Sequence, residues 1–388
     1  MKTTVGVFFG GKSVEHEVSI ISAMQVISAL DKDKYIVLPI YISKDNKFYY
    51  SEKMTDVSYF KDLEEVKKEA VEVYFTHSSF QMNVFCVKSL LKREIAKIDV
   101  AFPVVHGLNV EDGTLQGFFE MYNVPYVGPD VSASSVGMNK IIFKKVLEAS
   151  NIPVIEYYEV SSYEFEEKQD EVLNNIKNKL GLPVILKPSN LGSSIGIEIV
   201  KEEKEFKNKM ENVFMFTDKV LVERCVTNLR EINCSVIGDE KKQEVSILEE
   251  PIKVDEILSF KDKYMGDGSK KSNSKLSGME SLSRKIPADL DDEKTNEVYN
   301  LSRKVFKILG CEGVSRIDYI IDVDKDKVFV NEINTIPGSL SFYLWKDKGI
   351  SFTKLCDILI KLAIKRRERR EKIIYSNDVN ILNITGKK

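Results

Sequence analysis

Three oxygen-bearing side chains stand in two segments that have the pattern of adjacent strands. Asp318 lies in RIDYIIDV, and Glu332 and Asn334 lie in VFVNEINTIPG. Because Glu332 and Asn334 are two residues apart, their side chains point to the same face of a strand. Burying two carboxylates among apolar neighbours is costly unless cations neutralise them. The pattern therefore favours a Mg²⁺–nucleotide site over a satisfied network of core hydrogen bonds. Arg316, on the same face, would contact the same ligand.

A second candidate site is the segment KPSNLGSSIG, which begins at Lys187. Small residues between two strands let backbone amides approach a phosphate, and the lysine adds a positive charge. Taken alone, the segment fits an ordinary glycine-rich hairpin equally well. Lys140, just before a helix, would be a second phosphate lysine. Glu223 and Glu231 would accept hydrogen bonds from an adenine amino group and a ribose, although each alone is more typical of a surface charge.

A third pattern, from Gly6 to Ser13, satisfies the phosphate-loop consensus GxxxxGK[ST]. We interpret it as a false match. Its intervening residues Val7, Phe8 and Phe9 continue an apolar strand and would have to leave the core to expose their amides.

Composition limits the class of protein. The 57 basic and 60 acidic residues give a net charge of −3, which argues against a nucleic-acid partner. No apolar run approaches the roughly 18 to 20 residues that span a bilayer, so we expect no membrane partner and a cytoplasmic location. Five scattered cysteines and three histidines support neither a disulfide framework nor a zinc site, so any metal must be a hard ion on oxygen ligands.

The elements that position these residues alternate between strands and helices, which predicts a mixed α/β and α+β fold. Apolar runs at 3–9, 35–42 and 98–105 predict strands, and the charged stretch 51–95 reads as a surface elaboration. A single helix is expected from Ser135 to Ser150. We place domains at 1–125, 126–214 and 215–365, a long mobile loop at 265–284 and a basic tail at 366–388. The charge run KRRERREK predicts a solvated helix end rather than a membrane or nucleic-acid patch.

Ten ordered motifs carry a family resemblance: GGKSVEHEVS, FPVVHGLNVEDGTLQG, PYVG, MNK, GLPVILKPSNLGSSIGI, LVER, REIN, DKY, LGCEGVSRID and NEINTIPG. In this order they closely resemble the D-alanine–D-alanine ligases of the ATP-grasp superfamily, over residues 1 to about 362. The resemblance implies an N-terminal Rossmann-like domain, a small central domain and a large C-terminal domain, with ATP between two antiparallel sheets. It also implies a homodimer.

The resemblance assigns a role to each matching residue. It places ATP on Lys140, Lys187, Ser194, Glu223, Val226 and Glu231, and two Mg²⁺ ions, replaceable by Mn²⁺, on Asp318, Glu332 and Asn334. Catalytic roles fall to Glu15, Ser193, Tyr264, Arg316 and Gly338, and substrate binding to His106, Lys263, Tyr343 and Leu344. Within these sets, Glu15 would bind the first ammonium, Ser193 and Tyr264 would close the site, and Arg316 with the amides after Gly338 would stabilise an oxyanion.

The implied activity is ATP-dependent ligation of two D-alanines through an acylphosphate, for peptidoglycan precursors. One departure affects the second substrate. Where the family usually has Ser-His-Ser, this chain has Ser341-Phe342-Tyr343. The Tyr343 ring would either narrow an uncharged subsite or turn outward and leave the substrate carboxylate to amides near Leu344. We expect D-alanine, with D-serine, D-lactate or a non-catalytic nucleotide-binding regulator as alternatives.

Overall fold

The computed structural model describes residues 2–78, 80–88, 92–252 and 284–375. Lys263, Tyr264 and the predicted loop 265–284, apart from Arg284, lie outside these ranges, as does the tail from residue 376 onward. Among the helices in the described ranges, none combines the length and apolarity needed to cross a bilayer.

The N-terminal part is built on a seven-stranded sheet. Its first strand, β1 (Thr3–Gly10), has a parallel neighbour on each side and is buried from Val5 to Gly10. A strand covered on both faces is expected to be a continuous apolar run, as VGVFF is. The spatial order is 6-5-4-3-2-1-7, where the other strands are β2 (Tyr35–Ile42), β3 (Phe48–Tyr50), β4 (Val71–Ser78), β5 (Gln81–Cys86), β6 (Glu94–Ile98) and β7 (Val100–Val104).

The stretch 51–95 is more regular than the sequence suggested. It supplies β4, β5 and part of β6, which extend the sheet by antiparallel pairing. These strands carry many exposed polar residues, so their apolar alternation was too weak to recognise.

Two further four-stranded sheets are antiparallel. The first has the order 10-9-11-8 and comprises β8 (Tyr157–Ser161), β9 (Val184–Pro188), β10 (Glu198–Val200) and β11 (Lys219–Arg224). The second has the order 13-12-16-17 and comprises β12 (Leu229–Gly238), β13 (Gln243–Val245), β16 (Gly313–Asp322) and β17 (Lys327–Asn334). A short ladder joins β14 (Glu250–Pro251) to β15 (Arg284–Lys285).

The helices pack on these sheets. In chain order they are α1 (His16–Ala29), α2 (Leu63–Glu69), α3 (Thr114–Met121), α4 (Val131–Met138), α5 (Lys140–Ala149), α6 (Ser162–Leu180), α7 (Glu203–Phe214), α8 (Asp292–Ile308) and α9 (Phe352–Arg370). The single helix expected from Ser135 to Ser150 is wrong. Asn139 leaves the helical conformation between α4 and α5, and its side chain accepts a hydrogen bond from the amide of Ile142 as the N-cap of α5.

The charge run at the end of α9 is only partly solvated: Lys365, Glu368, Glu371 and Lys372 are exposed, but the arginines are not. Arg366 is 4% exposed and donates to the carbonyls of Tyr126 and Gly128 at 2.7 and 2.6 Å. Arg370 pairs with Glu120 and Asp130. Periodicity could not show this, because the acceptors lie about 240 residues away along the chain. The core of the first sheet also includes Leu344, Trp345, Leu355 and Leu359, so the last described segment packs against the N-terminal sheet.

Candidate functional site

The three predicted metal ligands meet on neighbouring strands. Asp318 on β16 lies directly opposite Glu332 on β17, and Arg316 lies opposite Asn334. The Asn334 amide nitrogen donates to Asp318 Oδ2 at 3.0 Å. Two carboxylates and one amide therefore share one patch of the sheet, as the spacing of two predicted.

Both carboxylates of this patch contact cations. Arg316 donates Nε and Nη2 to the two oxygens of Asp318, each at 2.7 Å. Burial would lower the pKa of Arg316, but the Asp318 charge outweighs burial and raises that pKa well above its ordinary value. Lys140 Nζ lies 3.5 Å from Glu332 Oε2 and donates to the carbonyl of Leu191 at 2.6 Å.

Lys187, at the end of β9, points to a buried carboxylate. Its Nζ lies 2.5 Å from Glu223 Oε2 and donates to Asn331 Oδ1 at 3.1 Å. A second buried lysine, Lys144 on α5, lies 2.6 Å from Glu223 Oε1. Burial would raise the pKa of Glu223, yet the two lysines lower it to about 2. Sequence reasoning missed Lys144, because a lysine inside a helical pattern gives no sign of burial.

The loop after β9 reaches the N-terminal part of the molecule. Ser193 donates its hydroxyl hydrogen bond to the carboxylate of Glu15, which precedes α1. Ser193 and Ser194 adopt positive φ angles of 55° and 59°. The backbone at Gly107 and Gly192 lies close to the same carboxylate. A Cβ would lie 2.9 Å from Glu15 Oε2 at Gly107 and 3.2 Å from it at Gly192.

His106 is a buried link between two parts of the fold. Its Nδ1 donates to the carbonyl of Ile336 at 3.0 Å, because a carbonyl can only accept. Its Nε2 accepts from the Ser22 hydroxyl at 3.0 Å, and the oxygen of that hydroxyl accepts from the amide of Ser339 at 3.2 Å. Burial lowers the pKa of His106 to about 4, so the imidazole is neutral near pH 7.

One cavity joins most of these residues. Its wall includes twelve predicted site residues: Glu15, His106, Lys140, Lys187, Ser193, Ser194, Glu231, Arg316, Asp318, Glu332, Asn334 and Gly338. Four others, Glu223, Val226, Tyr343 and Leu344, are buried and lie outside the set of described residues that line it. Lys263 and Tyr264 belong to the part of the chain that is not described.

The phosphate-loop pattern lies elsewhere. Val7, Phe8 and Phe9 are fully buried in β1, so their amides serve the sheet and not a ligand. Lys12 lines a neighbouring cavity, whose wall shares Glu15, Leu191 and Gly192 with the first.

Comparison with known proteins identifies the family. The family model "D-ala D-ala ligase N-terminus" matches residues 4–129, and "D-ala D-ala ligase C-terminus" matches residues 146–361. The D-alanine–D-alanine ligase of Thermosipho melanesiensis is 40% identical over 380 residues, 98% of each chain. This chain belongs to the D-alanine–D-alanine ligase family.

Solved ligase structures share the fold. The D-alanine–D-alanine ligase of Coxiella burnetii superposes with a TM-score of 0.77 at 29% identity, over 96% of each chain. The VanG D-Ala:D-Ser ligase of Enterococcus faecalis superposes with a TM-score of 0.76 at 28% identity, over 94% of this chain and all of that one. A Bacillus anthracis D-alanine–D-alanine ligase complexed with ATP gives 0.66 at 26% identity, over 95% and 99%. The architecture is therefore the ATP-grasp fold.

Two acids in this ligase-family site were not singled out from the sequence. One is Glu111, which lies in a quoted motif and lines the cavity. It accepts from the amides of Gly107 and Ile336 at 3.0 and 2.8 Å and from the Thr335 hydroxyl at 3.3 Å. Burial raises the pKa of Glu111 to about 7. This acid ties the loop after β7 to the loop after β17.

The other acid is Glu249, which also lines the cavity. Together with Arg284 it places charged groups around Tyr343. The Tyr343 hydroxyl donates to Glu249 Oε2 at 3.0 Å. Arg284 lies over the Tyr343 ring, 4.4 Å from its centre, and donates to Glu249 Oε1 at 2.7 Å. The expectation of an uncharged surrounding for this tyrosine is therefore wrong. Only the folded chain shows it, because these three residues are far apart in sequence.

Proposed function

We propose that this protein is an ATP-dependent ligase that joins two D-alanine molecules into D-alanyl-D-alanine. The observation that carries the proposal is the single cavity that combines a cation-compensated carboxylate patch, two lysines and the Glu15–Ser193 contact. These groups match the three demands of the reaction, which are a bound nucleotide, a held carboxylate and a stabilised oxyanion.

The first step is phosphoryl transfer. A carboxylate oxygen of the first D-alanine bonds to the γ-phosphorus of ATP, the bond to the β-phosphate oxygen breaks, and ADP leaves. Lys140 and Lys187 would hold the phosphates, since both line the cavity and both carry fixed charge. Glu15 would bind the ammonium of this D-alanine, and the Ser193 hydroxyl orients the carboxylate of Glu15 by donating to it.

Mg²⁺ fits the remaining oxygen donors. Asp318, Glu332 and Asn334 form a hard oxygen set, and magnesium is commonly held by one or two carboxylates together with substrate phosphates. The contacts of Arg316 and Lys140 with Asp318 and Glu332 support a site that accepts positive charge. Bound magnesium would supply charge neutralisation for the transferring phosphoryl group.

The second step forms the peptide bond. The amine of the second D-alanine attacks the acyl carbon, the amine loses a proton, and phosphate leaves as the carbon–oxygen bond breaks. Arg316 and the amides after Gly338 would stabilise the oxyanion of the tetrahedral intermediate. Ser339, Leu340 and Ser341 all adopt φ angles near +50°, which turns this segment sharply at the cavity. The neutral His106 holds it through Ile336 and Ser22.

A D-alanine–D-serine ligase is the second candidate. Glu249, on the cavity wall beside Tyr343, offers a hydrogen-bond acceptor that a serine hydroxyl could use. A VanG D-Ala:D-Ser ligase is also among the similar structures. We favour D-alanine, because most of the acceptor capacity of Glu249 is taken by Arg284, Tyr343 and Asn233.

The product feeds peptidoglycan precursor synthesis, and we place the protein in the cytoplasm, where ATP is made. Pairing of two copies of the chain stays a prediction.

The proposal is tested by phosphate release with D-alanine against L-alanine, followed by mass spectrometry of products with D-alanine, D-serine and D-lactate in equal amounts. Glu15→Gln should abolish release, since it removes the charge that holds the ammonium. Glu17→Gln is the matched control, because Glu17 lies in the first turn of α1 and is exposed, where it pairs with Lys44. This variant should retain activity. A dominant mixed product would reject D-alanine as the acceptor. Nucleotide binding without release under any condition would favour the regulator alternative.

A further inference from the structure

One buried carboxylate in this protein is shared by two buried lysines. Glu223 is 1% exposed and contacts Lys144 through one oxygen and Lys187 through the other. Lys144 is itself 1% exposed, and its Nζ also contacts the carbonyl of Ile155 at 3.4 Å and lies 5.6 Å from the centre of the Tyr157 ring. The cluster carries one more positive charge than negative, and burying an unmatched charge is costly.

The two lysines are not equivalent. Lys187 lines the cavity and Lys144 is not among the described residues that do so. Glu223 is likewise not among these residues, so Lys144 acts on a ligand in the cavity through Glu223 and then Lys187. Lys187, by contrast, stands between Glu223 and the cavity and contacts Asn331 there.

We propose that Lys144 is a positioning residue, which retains Glu223 so that Lys187 can move from that carboxylate to the phosphates of ATP. This inference rests on the proposed function. With only one lysine, departure of Lys187 would leave a buried carboxylate without a cation, which is strongly unfavourable. With Lys144 in place, Glu223 keeps one cation at 2.6 Å after Lys187 leaves.

The test compares Lys144→Met with Lys145→Met. Both remove a lysine from α5, but Lys145 is half exposed and pairs with Glu159 at the surface. Affinities are measured for ATP with Mg²⁺ and for adenosine, which has no phosphate. We expect Lys144→Met to weaken ATP binding by about tenfold or more, equivalent to about 1.4 kcal/mol. Adenosine binding should change less than about twofold, because adenosine does not require Lys187 to move. Lys145→Met should match the wild type for both ligands.

A second variant separates positioning from a merely structural role. Lys144→Met/Glu223→Gln removes the anion that holds Lys187, so the ratio of ATP affinity to adenosine affinity should return toward the wild-type value. In steady state, Lys144→Met should raise KM for ATP much more than it lowers kcat, and KM for D-alanine should not change.

Several results would overturn the inference. Wild-type ATP affinity in Lys144→Met would show that Lys187 does not need its neighbour. Equal losses for ATP and adenosine, or no recovery in the double variant, would assign Lys144 to packing of the adenine side. Absence of ATP binding by the wild type would reject both this inference and the proposed function, whereas the earlier results leave the proposed function intact.

Discussion

At the scale of single residues, two lysines in glycine-containing segments are candidates for the phosphate ligand. Lys187 lies near the end of β9 and lines the cavity that holds the other predicted site residues. Lys12 follows β1, whose residues before it are buried in the sheet, and it lines the neighbouring cavity. We predict that Lys187→Met raises Kd for ATP by at least about tenfold, because a charge-assisted phosphate contact is lost. Lys12→Met should remain within about twofold. Isothermal titration with ATP measures both, and loss of affinity in Lys12→Met alone would revive the phosphate-loop interpretation.

His106 gives a prediction about pH. Its folded pKa is about 4, below the ordinary value of 6.5, because burial disfavours the imidazolium. As pH falls below 6.5 the unfolded chain binds a proton that the folded chain does not, so stability is lost down to about pH 4. At pH 5 this amounts to about 2 kcal/mol.

Urea unfolding at pH 7 and pH 5 tests this prediction in His106→Gln. On acidification, the free energy of unfolding of the variant should fall by about 2 kcal/mol less than that of the wild type. His77→Gln is the control, because His77 is exposed on β4 and should follow the wild type. An acid-dependent loss in His106→Gln as large as in the wild type would contradict the assignment.

Sequence alone could predict the residues whose chemistry follows from local spacing. Glu332 and Asn334 alternate along one strand, and Arg316 and Asp318 do the same, so their common face follows from a period of two. Lys144, Glu111 and Glu249 could not be assigned in this way. Each owes its role to burial beside a partner that is distant in sequence, such as Tyr343 for Glu249.

At the scale of elements, α9 packs against the N-terminal part of the molecule. We predict that Arg366→Met destabilises the protein by about 3 kcal/mol, because two buried carbonyls lose a charged donor. Lys361→Met, on the same helix but exposed and paired with Asp357 at the surface, should cost less than about 0.5 kcal/mol. Chemical denaturation compares the two. Equal effects would show that the end of α9 is held by helix packing and not by Arg366.

The elements themselves were predictable where their pattern was strong. Strand β2 has the predicted bounds, since its apolar run is continuous. The break at Asn139 was missed because the apolar spacing continues across it, while a side-chain cap decides the boundary. Strands β4 and β6 were missed because their exposed residues dilute the alternation.

At the scale of the whole molecule, the cavity draws its wall from every part of the fold. Glu15 comes from the N-terminal part, Ser193 from the loop after β9, and Arg316 from the third sheet. Glu111 and His106 bind the backbone of Ile336, which fixes the N-terminal part against the segment that leads to Gly338. The order of motifs predicted this assembly, but not the contacts that hold it.

The central claim is that one cavity activates a D-alanine carboxylate with ATP and then passes the acyl group to a second D-alanine. The most direct measurement supplies D-alanine with both carboxylate oxygens labelled with ¹⁸O, together with ATP and Mg²⁺. Mass spectrometry should find D-alanyl-D-alanine and phosphate in equal amounts, with one ¹⁸O in each phosphate released. Dipeptide formed without label in the phosphate would contradict the acylphosphate route, and label-free phosphate without dipeptide would contradict ligation itself.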